Sequence, residues 1–476
     1  MRDEELERSR LTAAARAKLN RTPMKSQVRI ANGQGFWGDW LEAPVRQVEL
    51  GPIDYLVLDY LAEITMSILQ KQKARDPSLG YAKDFVPLVA RIAPRLIDQG
   101  IKVISNAGGV NPVACAQAVM DAARAKGVTG LKVAVITGDD IFDRLDEMLA
   151  RGIAFDDLDS GEPINAIRPR ILSANVYLGA FPLVEALESG AHVVIAGRST
   201  DTALTLAPMI HEFGWASDDW NKLAAGTIAG HIIECGAQAS GGNCQVDWQS
   251  IPDLANIGFP IIQAYPDASF HVTKHENTGG RVTSAVVTEQ LVYELGDPAS
   301  YITPDCVADF TTIRLRDDGA DRVLVSGIGG RPKPPTLKTS ITYEAGWKAA
   351  GTLVYSWPDA VEKARAADQI VRRRLADLGL EFDEIYTEIF GVDACHGPVA
   401  APNQDPPEVQ IRIGVRGPRR EAVDRFTREL IPLVLNGPPT ATGFGEGRPV
   451  VREVVAYWSS LLPRDEIRTQ VEVFEL

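Results

Sequence analysis

The sequence predicts an α/β protein whose first half is a mostly parallel, doubly wound (Rossmann-like) sheet and whose second half is α+β. Three observations predict it. Short β-branched runs alternate with amphipathic helical stretches between residues 27 and 215. The runs are nearly continuous in apolar residues, as strands are when both sheet faces are covered. Each run ends in a Gly, Asn or Asp loop, the punctuation expected before a helix. Strands are predicted at Val28–Ala31, Tyr55–Leu58, Lys102–Ser105, Lys132–Ile136 and His192–Ala196, with another within 170–178. Helical patterns such as Pro112–Lys126 and Phe142–Arg151 lie between them. Right-handed βαβ crossovers follow from that alternation. The same units also suit part of a barrel; the open sheet is the preferred reading.

The second half changes character. His271–Thr273, Ala308–Arg316 and Arg322–Ser326 read as antiparallel strands between Gly and Asp-Gly turns. Gly327–Pro335 reads as a hairpin or linker. A long amphipathic helix is expected over Ala360–Gly379 with Arg372–Arg374 outside, then a strand over 409–414 and a helix over 420–434. The expected organisation is a charged N-terminal extension over 1–26, an α/β domain over 27–250 and an α+β domain over 251–476. Met24 also suits a native start, and no internal repeat is visible.

The chain has 476 residues, 45% of them hydrophobic and 24% charged. That length allows two or three domains with a large core. Its 49 basic against 63 acidic residues give a net charge of −14. An acidic chain is a poor nucleic-acid or anionic-membrane binder. No apolar run is long enough for a membrane span, and the acidic N-terminus is neither a secretory nor a mitochondrial signal. Five cysteines without a Cys-x-x-Cys pair fit a reduced cytoplasmic compartment and argue against structural zinc.

Five loops carry polar residues where ligands of open α/β sheets bind, at strand C-terminal ends. In the first, Asn32, Gly33, Gly35 and Gly38 form a literal G-x-G-x-x-G, with Asp59 ending the next strand. The glycines open no long helix, and Phe36 and Trp37 crowd the turn. A tight packed turn, a substrate or phosphate loop and a nicotinamide site are the three readings, in that order. Asp59 itself is either paired or a general base with a raised pKa. The second loop, Asn106–Pro112, offers Asn106, Gly108, Gly109 and Asn111 to an anion, or is simply a well-made βα turn. Thr137–Asp140 contributes Asp139. In Gly197–Ala203, Arg198 suits a carboxylate or phosphate, beside Ser199 and Asp201; its bland alternative is an ion pair with Asp139 or Asp201. His231 and Glu234 stand three positions apart, the spacing of one helix face. Packing, acid/base use and, far behind, a metal pair are the alternatives there. Cys235 as a nucleophile lacks a visible base. In the second half, His275 and Glu276 sit in a polar loop suited either to closing over a ligand or to a solvated hairpin tip. The Asn436–Thr440 and Gly443–Arg448 stretches suit a lid or surface loops.

The strings IANGQGFWGDW, LDYLAEITM, SNAGGVNP, AGRSTDTALTLAP, GHIIECGAQASGGN, KHENTGGRVTSAVVTEQLVYELGDPASYITPDC and NGPPTATGFGEGRP resemble the acyclic terpene utilisation AtuA family, over about 27–460. The resemblance implies a part in bacterial or fungal catabolism of citronellol- or geraniol-type terpenoids, or of other branched or carboxylated compounds. It brings no residue-level assignments. Many relatives continue into a C-terminal ferredoxin-like domain. This chain ends at Leu476, so that domain is expected to be absent or supplied by a separate small protein.

The function expected from these residues is a cytoplasmic enzyme acting on a branched carboxylate or acyl-CoA derivative by lyase/hydratase or hydrolase chemistry. Asp59 or His231 would move a proton, Glu234 or Asp139 would orient it, and Arg198 with the Asn106–Asn111 loop would hold the anion. No cofactor is firmly implied beyond a CoA thioester as substrate. Neither a nicotinamide nor a divalent metal is favoured. The alternatives are a non-catalytic subunit needing a small ferredoxin-like partner and a nicotinamide-dependent oxidoreductase. A homo-oligomer is expected on base rate.

Overall fold

The computed structural model describes residues 25–400, 405–443 and 447–476. The extension read over 1–26 therefore falls almost wholly outside the described residues, as does the centre of the 443–448 loop. The fold is mixed α/β. Its main feature is a ten-stranded sheet. Five parallel strands form the middle of that sheet: β1 (Val28–Gln34), β2 (Tyr55–Leu58), β3 (Lys102–Ser105), β4 (Lys132–Thr137) and β5 (Val193–Ile195), in the order β1-β2-β3-β5-β4. Strands β6 (Pro260–Ala264), β7 (Phe270–Lys274), β8 (Arg314–Asp317) and β9 (Arg322–Ser326) extend it antiparallel beyond β1. Strand β10 (Gln470–Glu475) closes the other edge against β4.

Alternation along each central strand feeds two cores. Tyr55, Val57, Ile104, Ala134, Ile136 and Val194 face one side, and Leu56, Leu58, Val103, Val133, Val135, Val193 and Ile195 the other. Helices α1 (Ala43–Leu50), α2 (Glu63–Arg75), α3 (Phe85–Gln99) and α4 (Pro112–Ala125) cover the second side. Helices α5 (Phe181–Glu188), α6 (Ala203–Phe213) and α7 (Trp220–Ile233) cover the first. Helix α3 shows why: Phe85, Leu88, Val89, Ile92, Ala93 and Leu96 repeat at helical spacing on its buried stripe, and left-handed Gly100 ends it.

Contacts divide the chain elsewhere than at residue 250. The first unit comprises the described residues up to Ala166, then Leu172–Ile341 and Trp458–Leu476. The reason is that β6 pairs directly with β1 and β10 with β4, so the great sheet claims residues well past 250. The second unit comprises Ile167–Ile171 and Thr342–Tyr457. It is α+β: strands Glu384–Phe390 and Glu408–Gly417, with the parts of Thr336–Ser356 and Arg452–Pro463 that fall within it, build a sheet, and helix Ala360–Asp377 packs on one face through Ala364, Ala367, Val371 and Leu375.

Three expected elements differ in detail. The stretch 170–178 forms strand Ile171–Val176, outside the ten-stranded sheet. Ala308–Arg316 is two strands, because the Asp309 carboxylate accepts the Thr311 N–H at 2.8 Å and turns the chain between them. The helix expected over 420–434 breaks into Arg420–Phe426 and Leu433–Asn436, with Pro432 opening the second piece.

Strand β10 places Val471 and Phe474 against the two cores and pairs Gln470–Glu475 with Thr137–Lys132. Deleting residues 469–476 uncovers the edge of β4. The truncated protein is expected to melt several degrees lower and to scatter light on heating, as calorimetry and turbidity would show.

Candidate active site

The central strands deliver polar residues to one edge. Asp59 follows β2, Asn106 follows β3, Asp139 follows β4 and Arg198 follows β5. The chain winds through β1 to β4 with its helices on one face and returns through β5 with helices on the other. The helices after β3 and β5 therefore lie on opposite faces, while their loops touch where the Gly108 N–H donates to the Ala196 carbonyl at 3.1 Å.

Arg198 follows β5 with only 2% of its surface exposed. Its main-chain N–H donates to Asp139 Oδ2 at 2.7 Å, and Asn175 Nδ2 donates to the same oxygen at 3.1 Å. The Asp139 carboxylate thus fixes the turn that aims Arg198. Burial pushes Asp139 up to about 7, with Asp140 adding to the rise and the two donated hydrogen bonds opposing it. The Arg198 guanidinium donates to the Leu61 carbonyl and lies 3.2 Å from Asp201 Oδ1. Its centre stacks 4.2 Å from the Tyr177 ring, and Lys338 Nζ lies 5.2 Å from that same ring.

The Asp59–Ala62 turn ties Arg198 to a carboxylate. Asp59 Oδ1 accepts the Leu61 N–H at 3.0 Å and Asn106 Nδ2 at 2.8 Å, while Asn106 Oδ1 accepts the Tyr60 N–H at 2.8 Å. Burial, then the negative charge of Asp201, hold Asp59 well above the usual carboxylate range; Arg198 pulls it back only in part. Glu234 stands at the C-terminal end of α7, where the helix dipole disfavours an anion. Burial and the nearby charges of Asp201, Asp59 and Glu294 push Glu234 well above its ordinary value too. Helix α7 reaches this position because Gly230 has no side chain. A Cβ there would lie 2.7 Å from the Thr202 main chain, at the start of α6.

A cavity of about 530 Å³ opens beside these groups. Arg198, Lys338, Asp201, Glu234 and Glu294 supply its charges. Thr200, Thr202, Tyr301, Thr303 and Thr336 supply hydroxyls. Leu158, Ile302 and Leu461 supply apolar walls, and are respectively 50%, 65% and 43% exposed. All belong to the first unit.

The residues singled out in the sequence divide by position. Arg198, Asp201 and Glu234 form the wall. Asp59, Asn106, Asp139 and Ser199 are buried behind it and support it. His231 is buried too, with its ring 5.3 Å from both Tyr301 and Phe310. Burial lowers its pKa to about 4, and its Nδ1 is 3.7 Å from Glu234 Oε1. Cys235 is pushed up to about 12 by burial and by Glu234, so it stays a thiol rather than a nucleophile.

The remaining positions are packed elsewhere. Asn32 donates to the carbonyls of Gln34 and Glu234 at 3.3 and 3.4 Å. Gly33 lies against Pro44, and a Cβ at Gly35 would meet the Glu234 carbonyl at 2.9 Å. The G-x-G-x-x-G is therefore a packed turn that buttresses Glu234, and α1 begins only at Ala43. Gly108 and Gly109 are likewise filled against Ala196, Pro112 and Leu69. Asn111 Nδ2 donates to the carbonyls of Pro77 and Leu79. His275 Nε2 meets the Gln47 carbonyl at 3.1 Å, and Glu276 is exposed; neither borders the cavity. Among the described residues, no group of three or more His, Cys, Asp or Glu is arranged to hold a metal ion, and no helix is long and apolar enough to cross a membrane.

The family model described as acyclic terpene utilisation family protein AtuA matches residues 28–473. The chain belongs to the AtuA family. No curated protein and no solved structure gives a match. Membership in AtuA points to a catabolic role, and the matched span holds every residue of the cavity wall.

Sequence reasoning passed over Tyr177, Lys338, Glu294 and Tyr301. Tyr177 follows a strand outside the main sheet, and Lys338 lies on a long strand far along the chain. Only the fold brings Tyr177 against Arg198 and Lys338 against the same ring. A local signal existed for Glu294 and Tyr301, in the LVYELGDPASYITPDC string of the family motif.

Two outcomes follow for this AtuA chain. Gly230→Ala is expected to cost about 1–3 kcal/mol through overpacking against Thr202, read as a lower melting midpoint. Asp139 has a folded pKa of about 7 against about 3.8 unfolded. Its stabilising share is complete below about pH 4 and is lost as pH rises to about 7. Denaturant melts of wild type and Asp139→Asn across that window should show wild type losing up to about 4 kcal/mol relative to the variant.

Proposed function

We propose that the Arg198 cavity is the active site of a catabolic enzyme acting on a branched carboxylate or acyl-CoA derivative. The chemistry is proton transfer, as in a hydratase/lyase or a hydrolase. The observation that supports this most directly is the placement of Glu234, a carboxyl held above its ordinary range, in the same wall as a buried guanidinium. Arg198 and Lys338 receive the substrate carboxylate or thioester oxygen, and Tyr177 between them keeps both cations oriented. Leu158, Ile302, Leu337 and Leu461 receive the branched apolar chain. Glu234 gives its proton to the carbon or leaving group at the reacting centre, the attacking water adds its hydroxyl to the reacting carbon, and the proton that water releases returns to Glu234 by way of Asp201. Asp59 shares the buried carboxyl cluster behind Glu234 and is a positioning residue here, as is Asp139.

Turnover of branched acyl-CoA esters and branched carboxylates is the assay. Glu234→Gln is expected to lower kcat/KM about 10²–10⁴-fold with KM little changed. Arg198→Ala is expected to raise KM. As Glu234 acts in its protonated form, the wild-type rate should fall as pH rises through its elevated pKa. Full turnover in both variants on a substrate the wild type uses would overturn the proposal.

A further inference from the structure

The second unit carries its own cavity, of about 460 Å³, on the sheet face opposite helix Ala360–Asp377. Its character is the reverse of the rest of this acidic chain. Lys348, Arg448 and Arg452 border it, and among the described residues no carboxylate does. The side chains of Lys348 and Arg452 have no hydrogen-bond or ion-pair partner among the described residues. Arg448 makes only a 3.5 Å contact with Asp424. Lys348 lies directly opposite Arg416, which in turn lies opposite Glu384 on the next strand.

The floor is aromatic and hydrogen-bonding. Tyr386 is paired with Gly414 across the sheet. A Cβ at Gly414 would collide with the Tyr386 ring, so the ring lies flat across the glycine. A ring held flat on a sheet presents a face for stacking. Gln410 and Thr352 border the same space and offer an amide and a hydroxyl.

We infer that this cavity binds a nucleotide, with the base on Tyr386 and the phosphates on Lys348, Arg448 and Arg452. The cations and the ring supply complementary halves of that recognition. Inorganic phosphate would use only the cations, and a nucleoside only the ring. The ligand has two sources, a free adenine nucleotide or the nucleotide end of a CoA ester. The inference stands on the second unit alone and does not depend on the acid/base reading of Arg198 and Glu234.

The test is calorimetric titration of the full chain with ADP, CoA, adenosine and inorganic pyrophosphate, for wild type, Lys348→Glu/Arg452→Glu and Tyr386→Leu. Circular dichroism and a thermal melt would confirm that each variant is folded. ADP or CoA should bind at least tenfold more tightly than adenosine or pyrophosphate. The charge-reversed protein should lose at least tenfold in affinity, and Tyr386→Leu severalfold. CoA much tighter than ADP assigns the CoA source, and equal affinities assign the free nucleotide. Three results would overturn the inference: no binding of ADP or CoA, binding unchanged in the charge-reversed protein, or pyrophosphate binding as tightly as ADP.

Discussion

The buried guanidinium of Arg198 is the interaction on which the rest of the site depends. A charge taken out of water needs close partners, and its removal from water is costly without them. Here the partners come from four separate places in the chain: the Leu61 carbonyl, Asp201, the Tyr177 ring, and the Asp139 carboxylate that fixes the Arg198 main chain. The ends of three central strands and of one separate strand must therefore be in place for one side chain to be held. The same cation restrains the carboxylates around it. Without it Asp59, Asp201 and Glu234 would be a cluster of like charges beside an apolar core.

That arrangement explains why so much polar sequence serves support rather than contact. Asn106 holds Asp59, Asp139 holds the Arg198 turn, and Gly35 and Gly230 let main chain come close enough to set Glu234 at the cavity. Each is a polar or small residue at a strand end or helix crossing, where ligand loops also sit. Support and contact look alike in one dimension.

The strands show what was legible. Tyr55–Leu58 and Lys102–Ser105 have the bounds that their apolar runs and flanking loops predict, because a strand covered on both faces leaves little choice of residue. Arg198, Asp201 and Glu234 were legible for a related reason: charged residues just after a buried strand or helix end are hard to explain otherwise. The division of the chain was not legible. Strands β6 and β10 join the great sheet by long-range antiparallel pairing, and nothing local in Pro260–Ala264 or Gln470–Glu475 announces a partner in β1 or β4. Tyr177 and Lys338 were hidden for the same reason, since their meaning comes from a residue they approach only in the folded chain.

The central claim is that Glu234 holds a proton where ordinary carboxylates have lost theirs. Isotope-edited infrared difference spectra of wild type against Glu234→Gln, recorded across pH, measure it directly. The account predicts a protonated carboxyl signal, absent from the variant, whose midpoint lies well above the ordinary glutamate value of about 4.3. A Glu234 signal that titrates at or below that value would contradict it.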